Sequence, residues 1–190
     1  AEDAFWKATW NEAFKIPARF ELARLALRRG ERAQFLEHLA QGQLHNMNHS
    51  GFNHLSAILA RLDGDYSDDP LLAADDSGFD SDNAGVQYEA FRRGADNGFP
   101  KRMGRDPFPW IEIALDYARA GQFGDALELI RLAPSGDRMA DYFAGWIGLQ
   151  MNDETIATSR FAAAAAQLGD FAFPNQVECV PALQAAIAFN

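Results

Sequence analysis

The sequence predicts an all-α chain in which antiparallel helix pairs recur along the polypeptide. Gly30 and Gly64 each end an apolar helical run, and they lie 34 residues apart. Gly121 and Asn152 hold the same place in two later runs, 31 residues apart. No run of alternating apolar and polar residues survives between the turn signals, so strands are not expected. A repeat of this length is typical of stacked helix pairs, each covering the apolar face of its neighbours.

The first half of the chain contains two predicted helix pairs. Proline is favoured in the first turn of a helix and glycine directly after its end, so Pro17 and Gly30 mark the limits of one helix. An aromatic stripe at helical spacing precedes it. The expected elements, in order, are a stripe of Phe5, Trp6, Trp10 and Phe14, a helix over 17–30 that carries Phe20, Ala23 and Leu27, a partner over 31–43, a helix over 53–64 and a short one over 70–76.

The rest of the chain contains six further predicted helices, each an apolar pattern of helical period between turn signals. The segment GADNGFPKRMGRDPFP is rich in Gly, Pro and charge. It predicts a long connection or one short degenerate helix, and hence a slight break near 95–107 within a single domain over 1–190. The six helices are expected near 83–94, 108–120, 123–132, 138–150, 153–167 and 176–188.

Small residues at fixed distances from the turns explain how the paired helices approach each other. One lies seven residues before the turn and another five after it: Ala114 with Ala126, and Gly145 with Ala157. Tyr117 and Phe161 follow one turn later and supply the bulk that closes each core. The alanines over 162–166 have high helix propensity and a thin profile, so that helix can pack on more than one side.

The spacing around Gly121 and Asn152 resembles tetratricopeptide repeats, although Phe35 and Asp69 replace the downstream alanine in the first two units. The resemblance implies a right-handed α-α superhelix, a tetratricopeptide-like solenoid of antiparallel helix pairs. The stretches WKATWNEAFKIPARFELARLALRRGE, DPFPWIEIALDYARAGQFGDAL and FAFPNQVECVPALQAAIAFN resemble the helical-repeat portion of large bacterial proteins. In that group the repeats follow an amino-terminal domain of unknown function with a galactose-mutarotase-like β-sandwich. The resemblance therefore implies that the chain is the carboxy-terminal side of a larger protein, for which a carbohydrate-related role is one candidate.

Composition narrows the function classes. With 17 Lys and Arg against 27 Asp and Glu, the net charge of −10 opposes binding to nucleic acid or to an anionic membrane surface. The longest apolar run, 161–166, is too short to span a bilayer. We therefore expect a soluble protein, with the cytoplasm favoured. The first residue is not Met, and the closing run VPALQAAIAF has no polar outer helix after it, so we expect a fragment of a larger protein.

Two clusters resemble metal sites without completing one. His45 and His49 have the i, i+4 spacing of metal ligands, but the sequence between them is rich in Asn and belongs to an expected loop. The acidic stretch 63–82 includes DSDNAG, which begins like a calcium loop yet has Phe91 in the place of the bidentate Glu. We therefore expect no metal in the His38–His54 or Asp63–Asp82 segments, and no cofactor.

Nothing in the sequence assembles a catalytic site. Cys179 lies more than 120 residues after the last histidine, His54, and only neighbours touch in a repeat stack. No serine lies in a GxSxG elbow, and the carboxylates are too scattered to nominate an acid-base pair. We expect this chain not to be an enzyme.

A concave groove is the predicted binding site. The resemblance implies that the first helix of each pair lines the concave side. Transferring that pattern from each turn gives a surface of cations and aromatics, suited to an acidic peptide or, by stacking, to a sugar chain. The alternative is a purely structural role, in which some of these residues belong to the core and the arginines pair with nearby carboxylates such as Glu21. The predicted groove residues are Phe20, Arg24, Leu27, Arg28, His54, Ile58, Arg61, Tyr88, Phe91, Phe108, Ile111, Tyr142 and Trp146.

Two functions stay open at this point. The first is a protein-interaction scaffold that binds a peptide, a partner protein or another domain of the same protein. The second is an accessory repeat domain of a carbohydrate-active enzyme, shaping an active site on another domain. We favour the scaffold because helical-repeat stacks bind proteins far more often than sugars, which is an argument from fold alone.

Overall fold

The computed structural model describes residues 2–45, 50–64, 83–94, 98–134 and 137–167, and every regular element within them is an α-helix. The predicted all-α class is confirmed. Two compact units divide the chain: Ala1–Arg102 with Arg119–Gly121, and Met103–Ala118 with Gln122–Asn190. We call them unit 1 and unit 2. The boundary after Arg102 falls inside the segment in which the sequence predicts a break.

Ten helices lie in the described part of the chain. The five predicted over 83–94, 108–120, 123–132, 138–150 and 153–167 are all present, within two residues of their expected limits. The expected helices over 70–76 and 176–188 lie outside the described residues. The ten are α1 Glu2–Ala8, α2 Glu12–Arg29, α3 Arg32–His45, α4 Ser50–Asp63, α5 Ala84–Arg92, α6 Phe99–Met103, α7 Pro107–Arg119, α8 Phe123–Leu132, α9 Arg138–Gln150 and α10 Glu154–Ala166.

The start of the chain differs from the prediction. Asn11 adopts extended backbone and its side chain accepts a hydrogen bond from the Ala13 N–H, so a new helix begins at Glu12 rather than at Pro17. Pro17 lies inside α2. Because the chain breaks between α1 and α2, the predicted aromatic stripe is not continuous, and Trp10 is 84% exposed.

The predicted turn residues adopt left-handed backbone. Gly30, Gly64 and Gly121 have φ of 72°, 66° and 81°, and Asn152 has φ of 56°. Among the described residues, Asn152 is the one non-glycine with positive φ. Asparagine tolerates this conformation better than other side chains, so Asn152 can adopt the same backbone conformation as the predicted turn glycines.

Unit 1 contains α1–α5 and all but the last residue of α6. Helices α2 and α3 are antiparallel about Gly30, and the buried ring of Phe35 lies in the core of the unit. Arg32 at the start of α3 pairs with Asp63 at the end of α4, at 2.8 Å, so these helices are also antiparallel. The Phe52 ring of α4 lies against Gly42 of α3, where a Cβ atom would clash with it.

Helices α4 and α5 run in the same direction. The Asn83 side chain before α5 donates to the Ser50 carbonyl at the start of α4, at 2.6 Å. Farther along both helices, Arg61 contacts Glu89. The first residues of α4 therefore lie beside those of α5, and the two helices are parallel.

Unit 2 shows the close approach that the small residues predict. A Cβ atom on Gly145 of α9 would clash with the Phe161 ring of α10, and one on Gly148 would lie 2.8 Å from the Ala157 backbone nitrogen. Ala157 and Phe161 are buried, and Tyr142 packs against them. The predicted roles of Gly145, Ala157 and Phe161 are confirmed.

Among the described residues, no helix combines the length and the apolar character needed to cross a bilayer.

Candidate functional site

The predicted groove residues differ widely in exposure. Within unit 1, the contacts of α2 with α4 and of α4 with α5 cover several of these positions. A side chain with no accessible surface adds no area to a groove. Arg24, Leu27, His54, Ile58, Tyr88 and Ile111 are buried, Phe20, Arg61, Phe91, Tyr142 and Trp146 are half-buried, and Arg28 and Phe108 are exposed.

Arg24 is held within unit 1. Its guanidinium contacts the Glu21 carboxylate at 3.0 Å and lies 5.1 Å from the centre of the Phe20 ring. The Phe20 ring in turn meets Phe52 edge-on, with ring centres 5.6 Å apart. The structure therefore shows the structural role for Arg24, which pairs with Glu21. Arg28, on the same helix, is exposed.

His54 and Tyr88 lie in the interior. The His54 ring occupies the space over Gly85, where a Cβ atom would lie 2.5 Å from its Nδ1. Burial lowers the pKa of His54 from 6.5 to about 4, because desolvation disfavours the charged imidazolium. Tyr88 is fully buried beside Phe99. The prediction that these two side chains line an open groove is wrong for this reason.

Arg61 is engaged in a buried ion pair. Its Nε donates to both carboxylate oxygens of Glu89, at 3.2 and 3.1 Å, and Glu89 has no accessible surface. A buried carboxylate needs such a partner, because an unpaired charge in the interior is strongly destabilising. Arg61 therefore stabilises the contact between α4 and α5, a role that the sequence prediction did not assign to it.

Tyr142 and Trp146 are packed within unit 2, against the buried pair Ala157 and Phe161. Both rings remain half-buried, so part of each is accessible. Sugar stacking on these rings stays a prediction.

The candidate metal ligands that lie within the described residues do not assemble into a site. His38 lies 3.0 Å from an Arg19 nitrogen, and its pKa is lowered by burial and then by the Arg19 charge. His45 is on the surface near Glu12, at 4.0 Å. In the described part of the chain no three potential metal ligands come together. His49, the 65–82 stretch and Cys179 lie outside that part.

An open concavity of about 430 Å³ lies in unit 2, between α8, α9 and α10. Sites for small ligands typically enclose about 300–1,000 Å³, with apolar walls and a few placed polar groups. We call this feature the unit 2 concavity. Its apolar lining is Leu127, Ile130, Ala133, Pro134, Ala140, Ala144, Ile156 and Ala163, and its polar lining is Arg131, Asp137, Asp141, Ser159 and Arg160.

The charged groups of the unit 2 concavity are positioned by the helices that form it. Asp137 caps α9 and accepts hydrogen bonds from the Met139 and Ala140 N–H groups, at 2.8 and 3.0 Å. Arg160 of α10 donates to Asp141 of α9 at 2.9 Å. These contacts fix one carboxylate at a helix start and one ion pair across the wall of the concavity.

The unit 2 concavity was not predicted from the sequence. Its lining residues come from three helices and from the connection between α8 and α9, several of them are alanines, and no motif distinguishes them from ordinary core. Asp137 follows Pro134 and precedes an apolar run, so it reads as a helix cap. The one available signal was the thin face of α10 over 162–166, because small side chains leave space beside a helix.

Comparison with known proteins adds no relative: no family model, no curated protein and no solved structure matches the chain. The resemblances to tetratricopeptide repeats and to the large bacterial proteins therefore stay predictions.

Proposed function

We propose that this chain is a non-catalytic interaction module that binds a peptide segment of a partner protein, and that the unit 2 concavity receives apolar side chains of that peptide. The proposal depends on one observation. The concavity is open, it has apolar walls, and its rim carries charged groups that are already oriented by protein contacts. Such a combination is typical of recognition sites in which apolar contact gives affinity and polar contact gives orientation.

The helix packing supports a stacked-pair architecture for this module. In unit 1, α3 is antiparallel to both α2 and α4, and α4 and α5 run in the same direction. In unit 2, α9 and α10 form a tightly packed pair. A solenoid of helix pairs requires this alternation, and a solenoid presents grooves between successive helices to partners.

A cavity-filling substitution tests the proposal. Ala163 lines the concavity, so Ala163→Leu places a larger apolar group in the space that a ligand needs. Ala162 lies on the same helix, is exposed and does not line the concavity, so Ala162→Leu is the matched control. Random peptides displayed on phage are selected against the unsubstituted chain, and the enriched peptides are synthesised.

We expect the enriched peptides to share apolar side chains and to lose at least about tenfold in affinity on Ala163→Leu, since one excluded apolar side chain amounts to roughly 1.5–3 kcal/mol. Ala162→Leu should bind as the unsubstituted chain does. Failure to enrich any peptide, or equal binding by both variants, would exclude the unit 2 concavity as the peptide site.

A further inference from the structure

We propose that the unit 2 concavity recognises the free carboxyl end of a peptide chain whose last side chain is apolar, with Arg160 donating the hydrogen bonds to the terminal carboxylate. This inference rests on the proposed function and specifies its partner.

Arg160 is a positioned cation with unused donors. Its NH1 group donates to Asp141 at 2.9 Å, while the Arg160 side chain is 41% exposed and that of Asp141 is 15% exposed. A guanidinium has five N–H donors. Within the described residues, Arg160 makes no other hydrogen bond. The more buried carboxylate therefore orients the guanidinium, and its outer edge remains available to a second carboxylate.

The carboxylates of the concavity are already engaged. Asp141 accepts from Arg160 through Oδ1 and from Gln167 through Oδ2, at 2.9 and 2.8 Å. Asp137 accepts two backbone N–H groups at the start of α9, where the helix dipole favours its negative charge.

Arg131, the other cation of the rim, is exposed and makes no hydrogen bond or ion pair within the described residues. Unused hydrogen-bonding capacity at the rim is therefore mainly that of donors. This complements an anionic ligand rather than a cationic one.

A terminal residue fits this arrangement better than an internal acidic one. In a terminal residue the carboxylate and the side chain branch from the same Cα atom. One residue can thus place its carboxylate at the charged rim and its side chain on the apolar wall of one concavity. An internal acidic side chain would place its charge at the rim but would leave the wall to a neighbouring residue.

Three labelled peptides of otherwise identical sequence separate these possibilities: one ending in leucine with a free carboxylate, one ending in leucine amide, and one with an internal aspartate before the leucine amide. Fluorescence anisotropy is measured with the unsubstituted chain, Arg160→Gln, Arg160→Lys and Ala163→Leu. Arg105→Gln is the matched control, because Arg105 is an exposed arginine of unit 2 that does not line the concavity. Circular dichroism melts check that each variant is folded.

We expect the free acid to bind about tenfold or more tightly than the amide, the range typical of a charge-assisted hydrogen bond. Arg160→Gln should reduce binding of the acid to the level of the amide, Arg160→Lys should restore part of the difference, and Arg105→Gln should leave it intact. Ala163→Leu should weaken both peptides.

Other outcomes overturn the inference in distinguishable ways. Equal binding of acid and amide, both lost in Ala163→Leu, retains the peptide site and removes the carboxylate recognition. Preferential binding of the internal aspartate peptide assigns Arg160 to an acidic side chain instead. Self-association in sedimentation velocity that Ala163→Leu abolishes assigns the concavity to a second copy of the chain. No binding by any of the three peptides contradicts both the inference and the proposed function.

Discussion

His54 makes the stability of unit 1 depend on pH. Its pKa is lowered from 6.5 to about 4 by burial, so the unfolded state binds a proton at a higher pH than the folded state does. The stability that depends on a neutral His54 is therefore fully present above about pH 6.5, and it is lost as the pH falls toward about 4. From the linkage relation we expect a loss of about 2 kcal/mol between about pH 7.5 and pH 5, measured by urea unfolding at each pH.

The variant His54→Phe isolates this contribution, because phenylalanine has a similar shape and does not titrate. We expect the pH dependence of its unfolding free energy to be shallower than that of the unsubstituted chain. Some dependence should remain, because the pKa of His38 is lowered as well. Parallel curves for the two proteins would show that His54 is not the group that titrates.

Gly148 lies where α9 packs closely against the backbone of α10. A Cβ atom there would lie 2.8 Å from the Ala157 backbone nitrogen and 2.9 Å from the Ile156 side chain. Alanine improves helix propensity by about 1 kcal/mol, but overpacking against backbone costs about 1–3 kcal/mol. Because the clash is with backbone, which cannot move aside easily, we expect packing to outweigh propensity and Gly148→Ala to lower the unfolding free energy by up to about 2 kcal/mol in urea titrations.

Gly124 of α8 provides the control for Gly148. No heavy atom lies within 4 Å of a Cβ atom built there, and the residue is exposed. Gly124→Ala should be neutral or stabilising by about 0.5 kcal/mol. If the two alanine variants had the same stability, close approach would not be the reason for glycine at position 148.

Arg61 and Arg32 form ion pairs of similar length with very different burial. Arg61 contacts the fully buried Glu89, whereas the Arg32 side chain is 57% exposed in its pair with Asp63. Removing one partner of a buried pair costs about 3–5 kcal/mol, while an exposed pair contributes about 0–1 kcal/mol. We expect Arg61→Gln to be destabilising by about 3 kcal/mol in chemical unfolding, and Arg32→Gln by less than about 1 kcal/mol. Similar losses in both variants would contradict a special role for the buried pair.

The elements of this chain could be predicted where turn chemistry and apolar period agree. The limits of α8, α9 and α10 follow from such agreement, and Asn152 was recognisable because its place matches that of the turn glycines. The start of α2 could not be predicted in this way. Both Asn11 and Pro17 are favourable near a helix start, and only the local contact between Asn11 and the Ala13 N–H decides between them.

The candidate site was less predictable than the helices. Counting from each turn identifies one face of a helix, yet the exposure of that face depends on the next helix. His54 is covered by α5 at Gly85, and Arg61 is covered by the same helix at Glu89. Both contacts join residues about 30 positions apart in the sequence. The unit 2 concavity lies where small side chains such as Ala140, Ala144 and Ala163 leave space between helices, and no sequence motif marks such a space.

On the scale of the whole chain, each unit has its own buried core. Phe35, Phe52 and Ile58 are fully buried in unit 1, and Ala114 and Leu129 are fully buried in unit 2. Units with separate cores can open separately, and local opening free energies then differ along the chain.

Arg61→Gln and Gly148→Ala together test whether the two units open independently, because one substitution lies in each unit. Hydrogen exchange followed by mass spectrometry reports protection helix by helix. We expect Gly148→Ala to accelerate exchange in α9 and α10 while leaving α2 and α3 unchanged, and Arg61→Gln to do the reverse, since a destabilised core raises the open population of its own unit. A uniform increase in exchange over both units, for either variant, would mean that the chain opens as one cooperative body. In that case a strongly destabilising substitution in unit 1 would also weaken a peptide site in unit 2, whereas with independent opening the site responds only to changes in unit 2.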